Sequence, residues 1–152
     1  MANQISKLLT HIVSVFDAMP LVHTIAFKDD DVLDVEKENV YPLVSIVLLP
    51  SPAPMTDLRE YRLQFTVLNQ RDEIKIATPS KLMADSNYID NMGICDSIAN
   101  EFILEVLKTH DEFTVFIVDD SVSEFEFIRK GERNALDGVI FEASFSVHQN
   151  AI

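Results

Sequence analysis

Four groups of residues in this sequence could do chemistry: an acidic run, one cysteine, four histidines and a short basic run. The acidic run contains Asp29, Asp30, Asp31 and Asp34, and carboxylates are ligands that Ca²⁺ prefers. The run does not have the spacing of an EF-hand loop. Leu33 stands where an oxygen ligand belongs, and no glycine provides the sharp turn. We therefore expect a solvated acidic loop that holds no metal.

The cysteine and the histidines do not form a catalytic or metal-binding pattern. Cys95 lies on the apolar stripe of a predicted helix, and free cysteine is among the residues most often buried. His11, His23, His110 and His148 are isolated from one another, without the spacing of a metal site. The chain has three glycines, which form no phosphate-binding loop, and no Gly-x-Ser-x-Gly elbow. We expect no enzyme activity and no cofactor. The alternative of a small hydrolase has no assembled catalytic site to support it.

The basic run consists of Arg129, Lys130 and Arg133, in a chain whose formal net charge is -13. Two interpretations stay open. The run is either the solvated tip of an ordinary hairpin or a contact with an acidic surface of another protein. Within a homo-oligomer, the acidic run of the next subunit would provide that surface. Such head-to-tail contacts are heterologous, and they close into rings when the rotation permits.

Helical periodicity predicts two helices that would carry or support these groups. The first spans residues 3–18 and is ended by Pro20. The second spans 87–108, with Ser86 or Asn87 as its cap. Its apolar stripe is expected to consist of Ile89, Met92, Cys95 or Asp96, Ala99, Phe102, Ile103, Val106 and Leu107. Gly93 lies inside this helix. It either lets a neighbour approach closely or is simply tolerated at a cost of about 1 kcal/mol relative to alanine.

Period-two patterns predict the strands. Residues 60–68 alternate most clearly, with Tyr61, Leu63, Phe65 and Val67 on one face. Further strands are expected at 43–49, 113–118, 122–130 and 138–149, with a short one within 22–27. In the strand expected at 122–130, Phe125 and Phe127 are expected to share one face, with Glu124, Glu126 and Ile128 on the other.

The order of these elements predicts a single α+β domain over residues 1–152. Its sheet is expected to be mostly antiparallel and packed against the N-terminal helix and the long central helix. The connecting segments are an acidic loop at 28–39, a connector at 70–86 and a hairpin tip at 129–137. Asp119 and Asp120 are expected in a tight turn, where aspartate is common for backbone reasons.

Length and composition limit the classes of function. A 152-residue chain with 47% hydrophobic and 24% charged residues is typical of one globular domain. The pI of about 4.5 argues against wrapping a phosphate backbone. It is compatible with lining a passage that nucleic acid slides through, because a negative wall repels phosphates. No apolar run approaches the roughly 18 residues that a membrane span needs. The first residues do not form a secretion signal, and we expect no export.

The chain resembles the tail terminator and head–tail joining (neck) proteins of tailed bacteriophages. The resemblance is carried by Tyr41-Pro42 with LVSIVLL, by YRLQFTV, by the helix around ICDSIANEFILEVL and by DGVIFEASFSV, in that order. It implies a non-enzymatic virion protein that is made in the host cytoplasm. Such proteins form rings, commonly of six or twelve copies, next to portal, neck or tail-tube proteins. DNA passes through the channel without specific binding.

An alternative function comes from another class. A small, strongly acidic protein could mimic DNA and inhibit a nucleic-acid-binding protein, or act as another inhibitory binding module. A mimic needs acids spaced along one surface like phosphates, whereas many acids of this chain lie in one loop. Mass in solution separates the two functions, because a ring is a large homo-oligomer and a mimic is usually a monomer or dimer.

Overall fold

Two helices and six strands make up the described part of the fold. The computed structural model describes residues 4–28, 40–53, 58–71, 87–108, 115–118, 120–130 and 135–148. The elements in chain order are α1 Gln4–Asp17, β1 Thr24–Ala26, β2 Leu43–Leu48, β3 Leu58–Gln70, α2 Tyr88–Lys108, β4 Val115–Ile117, β5 Glu126–Lys130 and β6 Leu136–His148. Both predicted helices are therefore confirmed, with ends within one residue of the predicted ones.

The six strands form one sheet with β3 and β6 at its centre. The strand order is β1-β2-β3-β6-β4, and β5 also pairs with β6. Only β1 and β2 run parallel; the other pairs are antiparallel. Strands β3 and β6 pair along thirteen residues, from Leu58 opposite His148 to Gln70 opposite Leu136. The predicted α+β class with a mostly antiparallel sheet is confirmed.

Both helices pack on one face of this sheet. The alternation predicted for β3 is confirmed, because Tyr61, Leu63, Phe65 and Val67 are all buried. An antiparallel sheet with helices on one face needs this pattern, since successive side chains point to opposite faces. The other core residues are Leu8, Ile12, Phe16, Met19, Val44, Ile46, Cys95, Ile98, Ala99, Phe102, Val106, Ile117, Val139, Phe141, Ala143, Phe145 and Val147.

The buried stripe of α2 contains the predicted Cys95, Ala99, Phe102 and Val106 but begins at a different residue. It runs through Asn91, Cys95, Ile98, Phe102 and Val106, with Ala99 beside it. Ile89 is one of the most exposed apolar residues, and Met92 is half-buried, so neither starts the stripe. The stripe begins instead with Asn91, which is buried although it is polar. A buried amide needs hydrogen-bond partners, and those partners are described below.

The opposite face of the sheet is more polar. Arg62 and Glu142 form a partly exposed ion pair there, with 2.5 Å between Nη2 and Oε2. At one end of this face lies a small apolar cluster, which consists of Leu43, Leu68 and Leu136 with Tyr41 and Ile128 packed against it. This cluster lies next to Gly138, where β3 and β6 approach each other closely.

Segment 120–125 covers the flank of β6 between β4 and β5 without forming a strand. Asp120 has a φ of 58°, so the predicted turn is confirmed at this residue, while Asp119 lies outside the described residues. The Ser121 hydroxyl accepts a hydrogen bond from the Ser144 N–H at 3.1 Å. The Ser123 hydroxyl accepts one from the Glu142 N–H at 2.8 Å. Serine hydroxyls thus replace the backbone acceptors along this stretch, while the Ser123 N–H still donates to the Glu142 carbonyl at 2.8 Å.

The predicted strand at 122–130 is wrong in its first half and is confirmed from Glu126 to Lys130. Because residues 122–125 are irregular, Phe125 reaches the core from outside the strand, whereas Phe127 is 56% exposed. Within β5 the predicted alternation holds, because Glu126 and Ile128 lie on one face and Phe127 on the other, and Ile128 packs against the small apolar cluster. The hairpin tip is also shorter than the predicted 129–137, since β5 extends to Lys130 and β6 begins at Leu136.

Adding a methyl group at each of the two glycines that the structure describes should change the stability in opposite directions. A Cβ at Gly138 would meet the Val67 carbonyl oxygen and the Leu68 side chain, whereas no described atom lies within 4 Å of a Cβ at Gly93. We expect Gly138→Ala to lower the free energy of unfolding by about 1–3 kcal/mol. Gly93→Ala should raise it by up to about 1 kcal/mol, because alanine favours a helix interior. Urea unfolding of both variants checks this, and equal effects would contradict it.

Candidate functional site

The structure describes only part of the residues that the sequence singled out. Asp29, Asp30, Asp31, Asp34 and Arg133 lie outside the described residues, as do most of the predicted loop 28–39 and connector 70–86. Arg129 and Lys130 are the last two residues of β5, and they belong to a strand rather than to a loop. No side-chain position is described for Lys130. The site is therefore built from Arg129 and from the residues that hold β5.

The basic and acidic runs are attached to different margins of the sheet. The acidic run follows directly after Lys28, whose backbone N–H donates to the Ser45 hydroxyl at 3.1 Å, next to the pair β1–β2. Strand β5, which contains Arg129, pairs with β6 at the other side of the sheet. Because β2 and β3 lie between β1 and β6, the chain leaves toward the acidic run at one margin and carries basic residues at the other.

Arg129 lies over an aromatic ring of helix α2. Its guanidinium carbon is 5.0 Å from the centroid of the Tyr88 ring, a cation–π distance, and Tyr88 is the first residue of the helix. At an exposed site such a contact contributes about 0.5–1 kcal/mol. Arg129 therefore ties β5 to the start of α2 while its side chain stays exposed to solvent.

A buried polar cluster lies beneath this contact, and we call it the Asp137 cluster. Asp137 is fully buried and lies directly opposite Arg129 in the β5–β6 register. Its Oδ2 accepts a hydrogen bond from the Asn91 side chain at 3.2 Å. Its Oδ1 is 3.5 Å from Nε of Arg71, which makes an ion pair without a hydrogen bond between these two atoms. The Arg71 side chain is only 7% exposed, so both charges of the pair lie away from water.

Asn91 connects this ion pair to three other residues, two at the end of β3 and one before α2. Its Nδ2 also donates to the backbone carbonyl of Gln70 at 3.1 Å. Its Oδ1 accepts from the side chains of Asn69 at 2.9 Å and of Asn87 at 3.1 Å. The Asp137 cluster, formed by these asparagines with Arg71 and Asp137, therefore joins the end of β3, the start of α2 and the start of β6. It fixes the base of the hairpin that carries Arg129.

Cys95 lies beside this cluster and is not an activated nucleophile. It is fully buried, as the sequence predicts, and its Sγ is 3.6 Å from the backbone oxygen of Asp137. Burial, and then the charge of Asp137, raise the pKa of the Cys95 thiol to about 12. Since the thiolate is the reactive form, this thiol is unreactive at neutral pH.

Sequence reasoning missed the Asp137 cluster, because its members are scattered along the chain and Asp137 was placed in a turn. One signal was available. Asn91 lies one helical turn before Cys95, so it falls on the buried stripe of α2. A polar amide on such a stripe indicates buried polar partners.

Other kinds of site find little support in the described residues. No group of three or more His, Cys, Asp or Glu is placed there to hold a metal ion. Neither of the two described helices has the length and apolar character needed to cross a membrane. In comparisons with known proteins, no family model and no curated protein matches the chain.

Proposed function

We propose that this protein is a non-enzymatic structural component of a tailed-phage virion. In this proposal it forms a ring of six or twelve copies in the neck or tail, next to portal, neck or tail-tube proteins, and DNA passes through the channel. The observation that carries the proposal is the attachment of the acidic and basic runs to different margins of one sheet. The resemblance in element order supports the virion setting.

Separation of the two runs favours a head-to-tail contact. If the two runs left the same margin, they would neutralise each other within one chain. Because they leave different margins, the basic run of one copy can meet the acidic run of the next. Repetition of one such heterologous contact closes a ring when the rotation per subunit divides a full turn.

The ordered surroundings of Arg129 suit the basic run to this contact. Arg129 lies on Tyr88, and Asp137 opposite it is held in the buried cluster. A contact made by pre-ordered groups loses less conformational entropy on association than one made by mobile groups.

The net charge fits passage of DNA through the ring. Each copy contributes a formal net charge of -13. A ring multiplies this charge around its channel, and a negative wall repels phosphates and so prevents sticking.

Charge reversal of the basic run tests the ring. We expect the triple variant Arg129→Glu, Lys130→Glu, Arg133→Glu to lose assembly while it stays folded, with a modest fall in melting temperature because residue 129 lies opposite the buried Asp137. Like charges across an interface cost several kcal/mol, whereas loss of the exposed Tyr88 contact costs only about 0.5–1 kcal/mol. Native mass measurement, with melting of the same samples, checks both parts.

Two further variants complete this test. The exposed Lys108→Glu on α2 serves as a control for charge alone and should assemble normally. Reversal of Asp29, Asp30 and Asp31 to lysine in the triple variant should restore assembly if the acidic run is the partner. If the triple variant assembles like the parent, the basic run is solvated surface. A parent that stays monomeric would favour the DNA-mimic alternative.

A further inference from the structure

Strand β5 has a flank that no other described strand pairs. It hydrogen-bonds to β6 on one side, and among the residues that the structure describes no strand lies on its other side. A free strand flank presents unpaired backbone N–H and C=O groups, which form a template for another strand. Phe127 on this strand is 56% exposed, which is a large apolar area to leave in water.

The sequence of β5 is complementary to itself when it is written antiparallel. With Ile128 opposite its own copy, Glu126 lies opposite Lys130, and Phe127 lies opposite Arg129. All five residues of the strand are then paired with a favourable partner: opposite charges, a cation with an aromatic ring, and two isoleucines. Centring the pairing one residue earlier or later places Ile128 opposite Glu126 or Lys130, which loses these matches.

We propose that β5 pairs with β5 of a second copy about a twofold axis through Ile128. A twofold axis normal to the sheet keeps every side chain on its own face, as this register requires. The guanidinium of Arg129, already over Tyr88, would then also receive the Phe127 ring of the second copy. This twofold contact is independent of the proposed ring. It uses the same surface on both copies, whereas the ring contact joins two different surfaces. The twofold engages Arg129 and Lys130, so a ring contact made at the same time would fall to Arg133, and the twofold would then join two rings of six into twelve copies.

A disulfide placed on the axis tests this register. The variant Ile128→Cys should form a covalent dimer under mild oxidation, because directly opposite positions bring two Cβ atoms within disulfide range. The native Cys95 does not interfere, since it is fully buried. The matched control is Phe127→Cys. In the proposed register position 127 lies opposite position 129 of the second copy, so two Phe127→Cys chains should not cross-link to each other. A mixture of Phe127→Cys and Arg129→Cys chains should give the mixed dimer.

A charge exchange provides a second, independent test. Glu126 is exposed, so Glu126→Lys should fold normally and weaken the dimer by at least about tenfold. The double variant Glu126→Lys, Lys130→Glu should restore the dimer, because the twofold pairs each position with the other. A head-to-tail contact predicts no such restoration. No excess cross-linking of Ile128→Cys over Phe127→Cys, or no restoration by the double variant, would overturn the proposal.

Native mass separates this inference from the ring proposal. Twelve copies with the Ile128→Cys cross-link support both. A dimer with the cross-link supports the twofold and contradicts the ring. Six copies without the cross-link support the ring and contradict the twofold, and a monomer contradicts both.

Discussion

Replacement of Asp137 by alanine is expected to lower the free energy of unfolding by about 3–5 kcal/mol. The Asp137 carboxylate is fully buried, and it is the ion-pair partner of Arg71 and an acceptor for Asn91. Its removal takes the Asp137 carboxylate from a buried guanidinium and takes one of several acceptors from the Asn91 amide. Breaking a buried pair in this way costs far more than the net contribution of the pair, because the remaining charge has no water to replace its partner.

An exposed ion pair in the same sheet offers a matched control. Glu142 pairs with Arg62 on the polar face, where the two side chains are 30% and 50% exposed. Glu142→Ala should therefore lower the free energy of unfolding by only about 0–1 kcal/mol. A double variant, Arg71→Met with Asp137→Asn, should recover much of the loss, since it removes the buried charge and keeps an acceptor for Asn91. Equal losses for Asp137→Ala and Glu142→Ala in urea unfolding would contradict this account of the Asp137 cluster.

Phe102→Ala should lower the free energy of unfolding by about 3–5 kcal/mol. Phe102 is fully buried at the centre of the aromatic core, where its ring stacks on Phe16 at 4.3 Å between centroids and lies 4.9 Å from Phe65. Phe141 and Phe145 surround it at 6.3 Å. Alanine would leave a cavity shared by α1, α2 and the sheet, and the neighbouring rings cannot all move to fill it.

The control for this variant lies on the same helix. Leu104 is 48% exposed, so Leu104→Ala should change stability by no more than about 0.5 kcal/mol. Both variants are measured by chemical unfolding and by melting. A loss below about 1 kcal/mol for Phe102→Ala would show that the core repacks around the missing ring.

Most of the fold could be predicted because its large elements are strongly periodic. The sequence of β3 alternates from Tyr61 to Val67, so burial of Leu63, Phe65 and Val67 followed from the two-residue repeat. Strand β5 could not be predicted in the same way. It has five residues, and the segment before it is held by the hydroxyls of Ser121 and Ser123 rather than by a backbone ladder. The alternation therefore could not be extended from Phe125 to Phe127.

Of the candidate site, only the basic run could be predicted from the sequence. The basic residues are adjacent in sequence, so the run was visible without a structure. The Asp137 cluster depends on residues of β3, α2 and β6 that meet only in the folded chain. No local pattern shows that Arg71 and Asp137 form a pair, since their proximity results from the register between β3 and β6.

The register between β3 and β6 also bears on how the chain folds during synthesis. Paired residues of these strands are between 66 positions apart (Gln70 to Leu136) and 90 positions apart (Leu58 to His148). Pairing of such distant segments is slow, because the entropy cost of closing a long loop comes before any contact stabilises the pair. At ribosomal rates the partner of β3 appears roughly 3–18 s after β3 itself. During that interval an alternating, aggregation-prone strand at the centre of the future sheet lacks its longest partner, so the yield of folded protein depends on what shields β3 while translation continues.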